Sequence, residues 1–246
     1  MSRIEETGIA VVLLDIEGTT TPVDFVYRTL FGYARQNLST FLEKASEEPE
    51  IRRCIAGLKA QYALDLQAGQ NSPEWPTGQG SEIDSAVRYG LWLMERDSKV
   101  GPLKELQGLI WQEGYRSGRL RGEVFPDVPP AFDRWRQQGK EISIYSSGSA
   151  LAQQMLFRTT TFGDLSVGIR EFFDTRIGLK TRPESYSKIA SVSGHSPNQF
   201  LFCSDAIGEL DAARSAGMHT VLVVRSPKAD DRSAGHAAIG SFDEVL

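Results

Sequence analysis

Of 246 residues only two are cysteine, Cys54 and Cys203, and only three are histidine. The cysteines lack metal-ligand spacing and Cys203 lies inside an apolar run, so they read as reduced core thiols of a cytoplasmic protein. A basic excess is missing too: 27 Lys and Arg stand against 32 Asp and Glu, a formal charge of −5. That balance argues against a chain that wraps nucleic acid or lies on an anionic membrane. No apolar run approaches the ~20 residues needed to span a bilayer, and Glu5 and Glu6 stand where a signal peptide would carry its basic flank. Internal repeats and low-complexity tracts are absent. With 40% apolar residues, and a length at which roughly 70–75% of the unfolded surface becomes buried, the chain reads as one large globular domain or a core domain with an insert.

Short β-rich runs are present at residues 9–14, 141–145, 172–177, 200–203 and 220–224. Several are continuously apolar, the mark of strands buried on both faces of a parallel sheet. Helical patterns alternate with them at 128–138, 149–157, 184–193 and 207–216, the last stopped by Gly217. Alternation of this kind predicts a doubly wound α/β sheet.

From about Asp24 to Arg121 the alternation breaks, and only helical periodicity remains. Four apolar faces can be traced: Phe25 to Phe41, Ile51 to Leu66, Ile83 to Met94, and Leu103 to Tyr115. Ser81 with Asp84 three residues on resembles a capping box opening the third. A breaker-rich loop, residues 72–78, precedes it. The expected organisation is an α/β core of residues 1–23 and 123–246, with a helical cap of residues 24–122. Phe25, Trp92 and Trp111 could supply an apolar wall in that cap, although packing in the core is the better reading of each.

In open α/β sheets, ligands gather beyond the carboxyl ends of the strands. The residues that follow the strands here are Asp15 and Glu17, then Ser146 and Ser147, then Lys180, then Asp205 with Glu209 and Asp211. Carboxylates of this kind suit Mg²⁺, a hard cation that takes oxygen ligands and retains waters. An ionised carboxylate can attack phosphorus and form an acyl phosphate, while a hydroxyl and an ammonium hold the remaining phosphoryl oxygens. A second carboxylate can protonate the leaving oxygen and then activate water. Taken singly, Asp15 reads as a turn residue, Ser146 and Ser147 as a helix cap, Lys180 as solvated surface and Asp205 as a cap; together they read as a phosphoryl-transfer site. Neither a P-loop nor a Gly-x-Ser-x-Gly elbow is present.

This constellation resembles the haloacid dehalogenase superfamily, and within it the enolase-phosphatase family. The matching residues are the run from Asp15 to Val26, with Glu17 where the superfamily usually has a second Asp, Leu106-Gln107-Gly108 before Trp111, and Ile144 to Ser149. Phe173-Asp174-Thr175, Ile177-Gly178 with Lys180, and Glu184-Ser185-Tyr186 complete it. Ser226-Pro227 after Arg225 departs from the family's Arg-Pro-Gly. The resemblance implies strand order 5-4-1-2-3, a monomer, one Mg²⁺ per subunit, and a phosphorylated diketone, 2,3-diketo-5-methylthiopentyl-1-phosphate, that is enolised and dephosphorylated to acireductone. It implies Asp15 as nucleophile and metal ligand, and Glu17 as acid and base, with its backbone carbonyl on the metal. Asp205 completes the metal site, while Ser146, Ser147 and Lys180 hold substrate. The base for enolisation is not visible in the sequence, and Glu17 is the candidate. Another phosphatase of a small metabolite and a receiver-like signalling domain are the competing readings; the latter places its acceptor Asp after the third strand and carries no large insert.

Overall fold

The computed structural model describes residues 8–76, 82–225 and 235–245. The capping residue expected at Ser81 and the Ser226-Pro227 departure lie outside them. Two compact units divide the chain: Met1–Val26 with Arg121–Leu246, and Tyr27–Leu120.

The first unit is built on a parallel six-stranded sheet: β1 (Val11–Leu14), β2 (Glu141–Tyr145), β3 (Glu171–Phe173), β4 (Phe200–Ser204), β5 (His219–Val223) and β6 (Ala237–Ile239). Their order across the sheet is β3-β2-β1-β4-β5-β6. This contains the expected 5-4-1-2-3 order and adds a sixth strand at one edge. Helices α5 (Val128–Gln137), α6 (Ala150–Arg158), α7 (Pro183–Ser193) and α8 (Ile207–Ser215) link the strands. Because side chains alternate along a strand, β1 and β4 serve two cores at once. Val11, Leu13, Phe200 and Phe202 join Tyr145, Tyr186 and Ile189 in one cluster. Trp135 on α5 is fully buried and meets Phe132 and Phe242. Each large side chain removed from water in this way contributes roughly 1.5–3 kcal/mol.

The third strand ends earlier than the β-rich run at 172–177 suggests. It stops at Phe173 because Asp174 turns the chain: its Oδ1 accepts the Arg176 N–H at 2.9 Å, and its carbonyl accepts that of Ile177 at 3.1 Å. Ile177 is therefore a turn residue packed against the core, outside the strand.

The second unit contains α1 (Phe31–Ala45), preceded by a π-helical stretch from Phe25, then α2 (Pro49–Gln67), α3 (Glu82–Glu95) and α4 (Gly101–Arg116). Its core gathers Leu38, Leu42, Cys54, Leu58, Leu93, Leu103 and Ile110. Leu66, assigned by periodicity to the apolar face of α2, is instead 57% exposed. Trp92 stacks on Tyr89, and Trp111 donates its Nε1–H to the Leu30 carbonyl at 2.7 Å. Phe25 is buried. All three aromatics expected to offer a binding wall thus have packing roles.

Candidate active site

Every expected site residue emerges at the carboxyl end of the sheet. Parallel pairing in register places Leu14 of β1 beside Cys203 of β4 and Ile144 of β2. The residues that follow these strands therefore leave the sheet side by side. Asp15 is buried, and its N–H continues the ladder to the Cys203 carbonyl at 3.0 Å. The Lys180 ammonium is 2.5 Å from Asp15 Oδ1 and 2.5 Å from Glu209 Oε2. Ser204 Oγ lies 3.2 Å from Asp15 Oδ2 and 3.1 Å from Glu209 Oε2, and accepts the Ala206 N–H.

Lys180 is held by its own backbone as well as by its charge. Its carbonyl accepts the Tyr186 hydroxyl at 2.7 Å, and the neighbouring Gly178 carbonyl accepts the Tyr145 hydroxyl at 2.9 Å. Burial alone would favour the neutral amine, but the carboxylates of Asp15 and Glu209 outweigh it and hold the Lys180 pKa above its usual value. Glu209 is shifted up, by burial first and by the Asp15 charge second.

Asp205 is not a cap; Ala206 occupies that position at the start of α8. Although the residue as a whole is exposed, its carboxyl end packs against the turn after Asp15: a Cβ on Gly18 would meet Asp205 Oδ2. Desolvation there, followed by the charges of Asp15 and Glu209, pushes its carboxyl up to about 7. Gly18 itself has φ +67°, a conformation that side-chain-bearing residues rarely adopt. Glu17 is half-buried and pairs with Thr21 in a short bridge.

The hydroxyl loop after β2 is braced from three sides. Ser146 is buried and its N–H reaches the Phe173 carbonyl at 3.2 Å, whereas Ser147 is exposed. The helix cap is Ser149, not Ser146 or Ser147, with its side chain accepting the Ala152 N–H. Gln153 is buried in α6 and donates to the Gly148 and Phe173 carbonyls, both at 2.8 Å. Asp174 Oδ2 takes the Ala150 N–H at 3.1 Å.

Asp211 stands apart from this cluster, exposed and paired with Arg214 at 2.6 Å. Glu209, Ser204 and Gln153 had no motif of their own. Glu209 had a signal only in being acidic one turn into the helix that follows β4. Apart from the Lys180 ammonium, the side chains gathered with Asp15, namely Ser204 and Glu209, offer oxygens, as does Asp205 against the neighbouring turn. Among the described residues no three acidic, His or Cys side chains enclose a cation unaided. An ion held here would complete its shell with backbone, water or phosphoryl oxygens, which is the habit of Mg²⁺.

A profile of haloacid dehalogenase-like hydrolases matches residues 9–217. The chain is 45% identical over 238 residues to enolase-phosphatase E1 of Synechococcus elongatus, covering 97% of this chain and 98% of that one. To enolase-phosphatase E1 of Drosophila melanogaster it is 42% identical over 237 residues, covering 94% and 91%. Among solved structures, the UTR4 protein of Saccharomyces cerevisiae aligns with a TM-score of 0.75 at 28% identity, over 96% of this chain and 99% of that one. YfnB, a HAD-hydrolase of Bacillus subtilis bound to magnesium, shares the fold at TM-score 0.55 and 13% identity, over 96% of each chain. Strand order, the oxygen-rich cluster at the strand ends and near full-length similarity agree: this chain belongs to the haloacid dehalogenase-like hydrolases and, within them, to the enolase-phosphatase E1 family.

Proposed function

We propose that this enzyme enolises 2,3-diketo-5-methylthiopentyl-1-phosphate and then hydrolyses its phosphate ester, giving acireductone and inorganic phosphate, with Asp15 as the nucleophile. The observation that carries this reading is the buried Lys180 ammonium set 2.5 Å from both Asp15 and Glu209. A carboxylate kept beside a fixed cation, at the end of a central strand, is suited to receive a phosphoryl group. The names of the relatives support the enolase and phosphatase halves together.

YfnB, of the same fold, is bound to magnesium, and the donor chemistry suits Mg²⁺ here. We assign the ion to the carboxylates of Asp15 and Asp205 and the backbone carbonyl of Glu17. When bound, Mg²⁺ would offset the repulsion between the Asp15 carboxylate and the phosphoryl oxygens.

The remaining work falls to the chain's own groups. Glu17 accepts the proton from carbon 1 of the diketone during enolisation. An Asp15 oxygen then attacks phosphorus, and the bond from phosphorus to the leaving oxygen breaks as Glu17 delivers a proton to that oxygen. Water gives a proton back to Glu17 and attacks phosphorus, which frees phosphate and restores Asp15; Glu17 then releases that proton to solvent while the enolate oxygen on carbon 2 takes one from solvent, so the cycle closes. Ser146, Ser147 and Lys180 hold the phosphoryl oxygens throughout.

Incubation of the purified protein with the diketone phosphate and Mg²⁺ tests this, following free phosphate and the enediol chromophore together. Both should appear, and Asp15→Asn should stop phosphate release. Phosphate from other esters with no enediol from this one would assign the site to a different small metabolite.

A further inference from the structure

The turn that carries Glu17 is tied down from outside the site. Ile16 accepts the N–H groups of Thr19, Thr20 and Thr21 at 3.2, 3.0 and 2.9 Å, and the Thr20 hydroxyl donates to the Asp15 carbonyl at 3.0 Å. Two further carbonyls of the turn are bound by distant segments. Thr20 O accepts the Phe125 N–H at 2.9 Å. Thr19 O accepts both Nε–H and Nη2–H of Arg225, at 3.0 and 2.7 Å.

Arg225 is itself fully engaged. Its Nη1 donates to Asp127 Oδ2 at 2.6 Å and to the Gly240 carbonyl at 3.3 Å. Its guanidinium lies over the rings of Phe125 and Phe242, 4.3 and 4.7 Å from their centroids. Asp127 Oδ2 also accepts the Phe242 N–H and the Ser241 hydroxyl, at 2.7 and 3.2 Å. Both side chains of the ion pair are only 11% exposed. A buried ion pair is a poor way to gain stability, since apolar side chains of similar volume often do as well. A planar guanidinium fork offers something a hydrocarbon cannot: it fixes one carbonyl by two donors while its third edge is held by a carboxylate.

From this geometry we propose that Arg225, locked by Asp127, is a positioning residue that sets the turn so that Glu17 meets the leaving oxygen of the substrate. The inference rests on the reading of Glu17 as the proton donor. The contacts of Arg225 are with Thr19, Asp127, Gly240 and the rings of Phe125 and Phe242, so its effect passes through Thr19 and the turn.

The test compares two phosphate esters on the Mg²⁺-loaded enzyme through kcat/KM, which reports the steps up to phosphoryl transfer. The diketone phosphate needs its leaving oxygen protonated, whereas p-nitrophenyl phosphate, with a stable phenolate leaving group, does not. Arg225→Met and Arg225→Lys should lower kcat/KM on the diketone phosphate by about 10- to 100-fold, the scale of a catalytic group displaced by about 1 Å. The loss on the aryl ester should be much smaller. Placed in a Glu17→Gln background, Arg225→Met should add no further loss, since the effect of Arg225 passes through Glu17. Millimolar guanidinium should restore part of the activity of Arg225→Ala. Asp127→Asn, which preserves shape, should show the same leaving-group pattern in weaker form and serves where an Arg225 variant does not fold. Equal losses on both esters, or losses that multiply with Glu17→Gln, would overturn the proposal. If Glu17→Gln itself loses equally on both esters, the proton-donor reading fails instead, which is a separate outcome.

Discussion

A methyl group placed on Gly18 would lie 2.1 Å from Oδ2 of Asp205. The carboxylate after β4 therefore fits against the turn after β1 only because residue 18 has no side chain. Gly18 also has φ +67°, where an added Cβ costs roughly 1–2 kcal/mol. Gly18→Ala should lower the unfolding free energy by about that amount and displace Asp205. Its Mg²⁺ requirement for phosphate release should rise several-fold in a metal titration. An unchanged requirement would separate Asp205 from metal binding.

Lys180→Met leaves Asp15 and Glu209 as neighbouring carboxylates with no cation between them. Breaking a buried pair in this way costs about 3–5 kcal/mol, to be measured by urea unfolding at pH 7. The Lys180 pKa is raised by its partners, so the stability it provides is fully present below the ordinary lysine range. It is lost only as pH rises through the folded value. The difference between wild type and variant should thus stay level from pH 6 to pH 9 and shrink in strong alkali, above a lysine's ordinary ~10.4.

Gln153→Leu removes both bonds by which the Gln153 amide braces the loop after β2, taking the donor from the Gly148 carbonyl and leaving the Phe173 carbonyl with the Ser146 N–H. A buried acceptor stripped of its partner costs about 1–3 kcal/mol. With the loop of Ser146 and Ser147 loosened, KM for the phosphorylated substrate should rise more than kcat falls. The opposite split would detach this loop from phosphate binding.

Burial would raise the Asp174 carboxyl, yet its bonds to the Arg176 side chain and to the backbone of Arg176 and Ala150 outweigh that and hold it below the usual range. A lowered carboxylate contributes stability that is present above its unfolded value and is lost as pH falls through the folded one. Wild type should therefore lose stability more steeply than Asp174→Asn below about pH 4, near the unfolded carboxylate value. Thermal unfolding at a series of acidic pH values compares the two slopes.

Cys54 is buried, and burial, followed by the nearby Glu105, pushes its thiol up to about 12. The reactive species is the thiolate, so a disulfide reagent at pH 8 should leave Cys54 unmodified in the folded chain and react with it in urea. Rapid labelling of native Cys54 would contradict its place in the helical core.

Much of this architecture was legible in the residue order because the strong signals are local. Continuous apolar runs mark β1 and β4, whose two faces both meet helices, and the 3.6-residue periodicity from Phe25 to Tyr115 marks the four helices of the insert. Local signals also mislead. Ile177 closes a β-rich run, but a carboxylate three residues earlier turns the chain. Ala237 and Ala238 have too little side chain to announce a strand, and β6 forms because β5 presents it an edge. The position rule for α/β sheets found Asp15, Ser146, Lys180 and Asp205. It gave no role to Ser204, 189 residues from Asp15 in sequence, or to Arg225, 206 residues from Thr19. Hydrogen bonds across such separations carry no pattern in the sequence and become visible only once the strands lie side by side.

The hydrogen bond from the Phe125 N–H to the Thr20 carbonyl, 2.9 Å long, means that the polypeptide departs from the α/β unit and comes back to it at nearly one point. Roughly a hundred intervening residues therefore form a cassette whose two ends already touch. Recombination between relatives, or a short engineered tether, can exchange such a cassette without breaking any sheet pairing.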